Sequence, residues 1–148
     1  MQAELTLEVP AFPRQHTSTI EFDGGTPCNI PAEGYGIGYG SYRINSDPIV
    51  RLNFNRPMSA NAAEIFTLRA AVIAAKEKGA DALVINGDSR IALKWANVAA
   101  GQRKPTKIEK TSPVFQEAVA ELKSAMQGIT SVVTQWQPRL KSVAVFGH

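Results

Sequence analysis

The sequence predicts an α/β fold built as one domain, and three observations indicate it. Hydrophobic residues make up 44% of the 148 residues, which is enough for one well-buried core. Residues 19–54 contain three stretches in which apolar and polar side chains alternate with the two-residue period of a strand. Two helical patterns then enclose a continuous apolar run at residues 82–85, and this alternation of strand and helix is typical of an α/β protein.

The first core strand ends on a carboxylate. Residues 19–22 read Thr-Ile-Glu-Phe, and Asp23 follows them directly. Gly24 and Gly25 come next, and we interpret them as a sharp turn that leaves no side chain over the site. Asp23 is therefore expected to face open space.

The residues before this strand are interpreted as an arm. Pro10 and Pro13 stop regular structure, so we divide the chain into an N-terminal arm, residues 1–17, and a domain, residues 18–148. His16 lies just before the strand and is expected to be solvated or hydrogen-bonded, outside the site. The single cysteine, Cys28, excludes an internal disulfide and fits a reducing compartment.

Two more strands are predicted at residues 35–44 and 49–54. The first is rich in glycine, which suits a strand that another backbone or a ligand approaches closely. In the second, Val50, Leu52 and Phe54 lie on one face. Residues 55–58 are expected to lead from this strand to a helix.

The next two elements each carry an acid. Ser59 is the predicted N-cap of an apolar helix, and Glu64 lies near its first turn, where the helix end favours a carboxylate. The buried strand at 82–85 leads to Asp88. Together with Asp23, these acids stand at the ends of three elements, where they can converge on a divalent metal.

The remaining elements follow from their end signals. A helix over residues 90–100 begins after Ser89 and ends at Gly101, and a second begins at Ser112-Pro113. Between them, residues 102–110 hold four basic residues against one acid and should form an exposed loop. Residues 129–139 are predicted to contain the fifth core strand.

Charge and hydropathy indicate which partners and which compartment to expect for this protein. Sixteen basic and thirteen acidic residues leave a net charge of +3, and the isoelectric point of about 9.2 tilts the expectation mildly toward polyanionic partners. The N-terminus has neither a cationic start with an apolar run nor a span of about 20 apolar residues. We expect a soluble, cytoplasmic protein.

In this order the motifs of residues 18–140 resemble the ribonuclease H family, of type 1 or the small archaeal and phage-like kind. Each motif matches one of the family's own: an Asp-Gly strand end with its asparagine loop, an Asn-Asn-x-Ala-Glu helix start, Thr-Asp-Ser, and Trp-x-Pro-Arg. They stand here as Phe22–Gly25 with Asn29, Ser59–Glu64, Gly87–Ser89 and Trp136–Arg139.

The resemblance implies a five-stranded mixed sheet with helices on both faces. It also implies hydrolysis of the RNA strand of RNA/DNA hybrids with two Mg²⁺ ions, or Mn²⁺, about 4 Å apart. Asp23 would bridge the ions, with Glu64 and Asp88 helping to hold them. No protein partner and no membrane are implied.

The resemblance further implies how a hybrid would be recognised. Asn29 and Asn61, with the backbone amides near Gly24 and Gly25, would contact ribose 2′-hydroxyls, the groups that distinguish RNA from DNA. Lys104 and Lys107, in the basic loop that also holds Arg103, would contact phosphates of the DNA strand.

The chain departs from the family pattern in three places. Gly25 replaces a serine, Ala60 replaces an asparagine, and no carboxylate follows Glu121 where the family carries a fourth acid. Either the chain is cut before that acid or another residue replaces it, and His148 is the candidate for this role. The alternative is that His148 has no role in the site. Residues 145–148 also resemble a strand-Gly-His ending whose histidine helps product release.

Two alternatives to a hybrid-cleaving enzyme remain. One is a non-catalytic nucleic-acid-binding domain that keeps the fold without a complete site. The more remote one is a related nuclease acting on DNA junctions, which the resemblance at Asn29 and Asn61 disfavours.

Overall fold

Five strands and four helices make up the computed structural model, which describes residues 16–27, 36–105 and 112–147. In chain order they are β1 (Thr17–Gly25), β2 (Gly36–Ile44), β3 (Val50–Met58), α1 (Ala60–Glu77), β4 (Ala82–Gly87), α2 (Arg90–Ala99), α3 (Pro113–Ala125), β5 (Ser131–Trp136) and α4 (Arg139–Phe146). Ser59, Ser89 and Ser112 cap the first three helices, as their sequence signals predicted. No helix in these three ranges is both long and apolar enough to cross a membrane.

The strands form one mixed sheet in the order β3-β2-β1-β4-β5. The β1–β2 and β2–β3 pairs are antiparallel, whereas β4 runs parallel to both β1 and β5. The central strand β1 therefore lies between a hairpin on one side and crossover connections on the other. This arrangement confirms the predicted five-stranded mixed sheet.

Helices cover both faces of the sheet. Ile20 and Phe22 of β1 point into the main core, where α1 packs on the sheet and α3 packs on α1. Ser41 of β2 points to the opposite face, and Arg51 joins it to α4 by donating to the Ser41 hydroxyl and to the Phe146 carbonyl. Helix α4, which was not predicted as a helix, thus lies on the second face, and the helices on both faces that the resemblance implied are confirmed.

The prediction of a turn at Gly24-Gly25 is wrong. Strand β1 continues through both glycines, which pair with Gly40 and Tyr39 of β2. The glycines serve close packing instead, since a Cβ on Gly24 would lie 2.9 Å from the Ala63 carbonyl oxygen of α1. Pairing with a neighbouring strand, which no local pattern reveals, carries the strand past Asp23.

The third strand is longer than predicted. It runs through residues 55–58, including Pro57, which pairs with Ile37 of β2. Proline lacks a donor for the sheet, but β3 is an edge strand and needs donors on one side only.

The comparison of residues 145–148 with a strand-Gly-His ending is also wrong. Val145 and Phe146 are the last residues of α4, and Gly147 caps the helix in the left-handed conformation with φ of 81°. His148, the N-terminal arm up to residue 15, and Cys28 lie outside the described residues.

Candidate metal centre

The structure brings the three predicted acids together. Asp23, Glu64 and Asp88 each offer a carboxylate oxygen, and these three oxygens lie within 4.8 Å of one another. Such a cluster of hard oxygen ligands suits a divalent cation of the Mg²⁺ type. The sequence-based expectation that the acids converge is therefore confirmed.

Asp23 lies at the centre of the sheet. It belongs to β1, pairs with Ser41 across the sheet, and has only 2% of its surface exposed, so the expectation that it faces open space is wrong. It points to the face opposite Phe22, away from the main core. Burying a carboxylate this deeply is costly unless a cation or strong donors compensate it.

Glu64 reaches the cluster from α1. The helix begins at Ala60, so Glu64 is its fifth residue. It therefore lies one position beyond the first turn, near which it was predicted. The helix end therefore contributes little to its placement. Glu64 lies near Asp23 because the backbone of α1 packs closely against Gly24 of β1.

Asp88 follows β4 and is held by its neighbours. Its backbone carbonyl accepts a hydrogen bond of 3.1 Å from the Trp136 indole, and the next residue, Ser89, caps α2. The Gln137 amide donates to the carbonyl of Gly87, 2.8 Å away. The end of β5 thus fixes the backbone that carries Asp88.

The cluster concentrates negative charge. Burial, followed by the charges of Asp88 and Asp23, raises the pKa of Glu64 to about 8, although Ser89 and Arg139 act in the opposite direction. Glu64 Oε1 and Asp88 Oδ2 are buried without a hydrogen-bond partner among the described residues. A divalent cation would neutralise this repulsion and coordinate these oxygens, so the residues present fit a metal.

This raised pKa predicts a pH-dependent stability. A folded-state pKa of about 8 exceeds that of an exposed glutamate, so the metal-free protein holds an extra proton and loses stability as pH rises from about 4.5 through 8. Glu64→Gln should flatten this dependence and stabilise the metal-free protein by roughly 4 kcal/mol at pH 8. Thermal unfolding in a chelator between pH 5 and 9 measures it, with Glu77→Gln at the exposed end of α1 as control. An unchanged pH profile in Glu64→Gln would contradict this assignment.

One participant was missed from the sequence. Arg139, the first residue of α4, lies 3.7 Å from Asp88 Oδ2 and forms the ion pair of the site. The Trp136–Arg139 motif was the available signal.

Helix α4 stands where the resemblance expects a fourth acid. It carries Ser142 and Phe146 as its buried residues and no carboxylate between Arg139 and Phe146. The three acids are therefore the carboxylates that the described chain brings to this centre. The predicted role of His148 lies outside the described residues.

The predicted substrate contacts are placed only in part. Asn61 is exposed in the first turn of α1, three residues before Glu64, so it stands beside the cluster. Lys104 is exposed in the loop that follows α2. Gly24 and Gly25 follow Asp23 directly on β1. Asn29 and Lys107 lie outside the described residues.

Solved structures with the same architecture include two ribonuclease H domains. The N-terminal ribonuclease H domain of a Mycobacterium tuberculosis protein superposes with a TM-score of 0.65 and 17% identity, over 86% of each chain. The chain has the ribonuclease H fold. Ribonuclease H1 of the halophilic archaeon Halobacterium salinarum gives a TM-score of 0.62 and 18% identity, over 85% of this chain and 89% of that one. No family model and no curated protein sequence matches this chain.

The fold comparison confirms the resemblance inferred from the motifs at the level of architecture. The acid cluster lies on β1, on α1 and after β4 of a ribonuclease H fold, each on the element where its motif had been recognised. The chain therefore combines a nuclease-type fold with an acidic centre.

Proposed function

We propose that this protein is a metal-dependent endoribonuclease that cuts the RNA strand of RNA/DNA hybrids. The convergence of Asp23, Glu64 and Asp88 within 4.8 Å carries the proposal, because their charges destabilise one another unless a cation is bound. The ribonuclease H fold supports nucleic acid as the substrate, and the two solved neighbours described above are both ribonuclease H domains.

Each acid has its own role in this proposal. Asp23, the most buried of the three, would be the central ligand of the cations, and Glu64 and Asp88 would help to hold them. Bound Mg²⁺ or Mn²⁺ would supply activation of water and stabilisation of the leaving oxygen. Arg139, beside Asp88 and 72% exposed, would orient a scissile phosphate by charge-assisted hydrogen bonds.

Recognition of RNA would come from the residues around the cluster. Asn61 projects from α1 beside Glu64, and Asn29 and the amides of Gly24 and Gly25 are proposed to join it in contacting ribose hydroxyls. Lys104 and Lys107 are proposed to bind the DNA strand by its phosphates.

Cleavage of end-labelled duplexes tests the proposal. In Mg²⁺ or Mn²⁺ we expect the RNA strand of a hybrid to be cut, while duplex DNA of the same sequence stays intact and a chelator stops the reaction. Cutting of duplex DNA or of a DNA junction, with the hybrid untouched, would contradict the substrate assignment.

A non-catalytic binding domain is the second candidate, and the absence of a carboxylate from Arg139 to Phe146 favours it. In that case the hybrid would bind with and without metal and remain whole in both ions. The cleavage assay, run beside a binding assay on the same duplex, separates the two functions.

A further inference from the structure

A basic groove lies between α2 and the edge strand β5, next to the acid cluster. Its volume is about 380 Å³, and its lining includes three cations, Arg90, Lys94 and Arg103, together with Trp136 and Thr134. Arg90 lies two residues after Asp88, and the Trp136 indole donates a hydrogen bond to the Asp88 backbone carbonyl. The groove therefore starts at the backbone of a proposed metal ligand.

Positive charge is concentrated in this groove. Some arginines and lysines elsewhere pair with a carboxylate: Arg69 lies 3.4 Å from Glu121 and Lys78 lies 2.7 Å from Asp47. By contrast, no carboxylate in the described part of the chain forms an ion pair with Arg90, Lys94 or Arg103. Three cations along one groove, none of them paired with a carboxylate of the described residues, attract an anion with several charges.

The groove also offers an aromatic surface. Trp136 is 46% exposed, and the Arg90 guanidinium lies over its ring at 4.2 Å from the centroid. A large exposed aromatic beside cations is the arrangement that binds single-stranded nucleic acid, with phosphates on the cations and a base against the ring. Stacking on a side chain requires an unpaired base, so a duplex does not satisfy this groove.

Side-chain hydrogen bonds join the two walls of the groove. Asn97 of α2 donates to the Thr134 hydroxyl at 3.0 Å. The Gln102 amide donates to the Val132 carbonyl at 2.7 Å and accepts from the Val132 amide at 2.8 Å. These bonds tie α2 to β5 and occupy part of the sheet edge, so the cations are presented on a fixed frame.

We propose that this groove binds a single-stranded extension of the substrate, directing the enzyme to hybrids that end in an unpaired strand. The inference rests on the proposed function and specifies its substrate further. Arg90 and Lys94 are one helical turn apart, about 6 Å along α2, so each can hold a different phosphate of the same strand.

Binding to matched duplexes tests this proposal. Asp23→Asn serves as the background, so that the substrates stay whole, and fluorescence anisotropy compares a blunt RNA/DNA hybrid with hybrids carrying a 5′ or a 3′ single-stranded extension. We expect one extended hybrid to bind about ten-fold more tightly than the blunt one. Adding Arg90→Ala and Lys94→Ala should bring that preference to about one and reduce the salt dependence of binding.

The matched control is Arg69→Ala with Lys78→Ala, which removes the same charge from α1 and its end and should retain the preference. Equal binding of blunt and extended hybrids in the background protein, or a preference that survives Arg90→Ala and Lys94→Ala, would overturn the proposal. The proposal would also be overturned if the protein bound poly-glutamate, lost that binding on Arg90→Ala and Lys94→Ala, and showed no preference for hybrids with an extension. If the unmodified protein prefers extended hybrids but cuts none, the proposal for the groove is supported and the proposed hydrolytic function is refuted. If it cuts hybrids without preferring extended ones, the hydrolytic function is supported and the proposal for the groove is refuted.

Discussion

Asp23→Asn should abolish cleavage of the RNA strand while leaving the fold intact. The change removes a charged ligand from the centre of the acid cluster, and metal stabilisation of the reacting oxygens is worth several kcal/mol, so we expect a loss of about 10³-fold or more. Asparagine has nearly the same shape as aspartate, and it relieves repulsion from Glu64 and Asp88 in a position that is 2% exposed. The metal-free variant should therefore unfold at the same temperature as the unmodified protein or above it.

Single-turnover cleavage rates and Mn²⁺ binding by titration calorimetry measure this result together. The matched control is Asp47→Asn, which removes one carboxylate from the turn after β2, where it pairs with Lys78 at 2.7 Å. Asp47→Asn should cleave and bind Mn²⁺ normally. Cleavage by Asp23→Asn within about ten-fold of the unmodified rate would refute a central role for this acid.

Gly24→Ala should damage the centre without touching any carboxylate. A Cβ at this position would lie 2.9 Å from both the Ala63 carbonyl oxygen and the Glu64 Cα, and backbone atoms cannot rotate aside. Helix α1 must then move away from β1 and take Glu64 with it. We expect a loss of about 2 kcal/mol in the free energy of unfolding. Because small displacements of positioned groups are costly, we also expect a fall of about 10²-fold in cleavage.

The neighbouring glycine provides the control for stability and metal binding. A Cβ on Gly25 would meet the Tyr39 hydroxyl at 3.2 Å, and the end of a side chain can yield a few tenths of an ångström. Gly25→Ala should therefore cost less than about 1 kcal/mol and retain Mn²⁺ affinity. Equal destabilisation by the two substitutions would mean that close approach of α1 at Gly24 does not position Glu64.

The helix starts were predictable because their signals are local. Ser59, Ser89 and Ser112 each accept a hydrogen bond from the amide three residues later, and this short-range geometry is readable in the chain. The strand character of residues 19–22 was predictable for the same reason, since alternation reports which face is buried. These elements also carry or directly precede the three acids.

The strand ends were not predictable, because they depend on pairing with distant segments. Gly24 and Gly25 look like a turn in isolation, yet β2 pairs with both of them. Pro57 looks like a strand terminator, yet it is accommodated because β3 lies at the edge. In each case a partner remote in sequence decides whether the local tendency prevails.

The sequence alone determined the order of the elements from β1 to β5 and the identity of the three acids, since both follow from short-range periodicity, caps and motifs. Only the tertiary structure decided that a helix follows β5 and what surrounds those acids: the contact that brings Glu64 beside Asp23, the Arg139 ion pair with Asp88, and the cations of the groove beside Trp136. Distances and exposure between segments far apart in the chain arise when the core packs, and electrostatic effects such as the raised pKa of Glu64 depend on those distances.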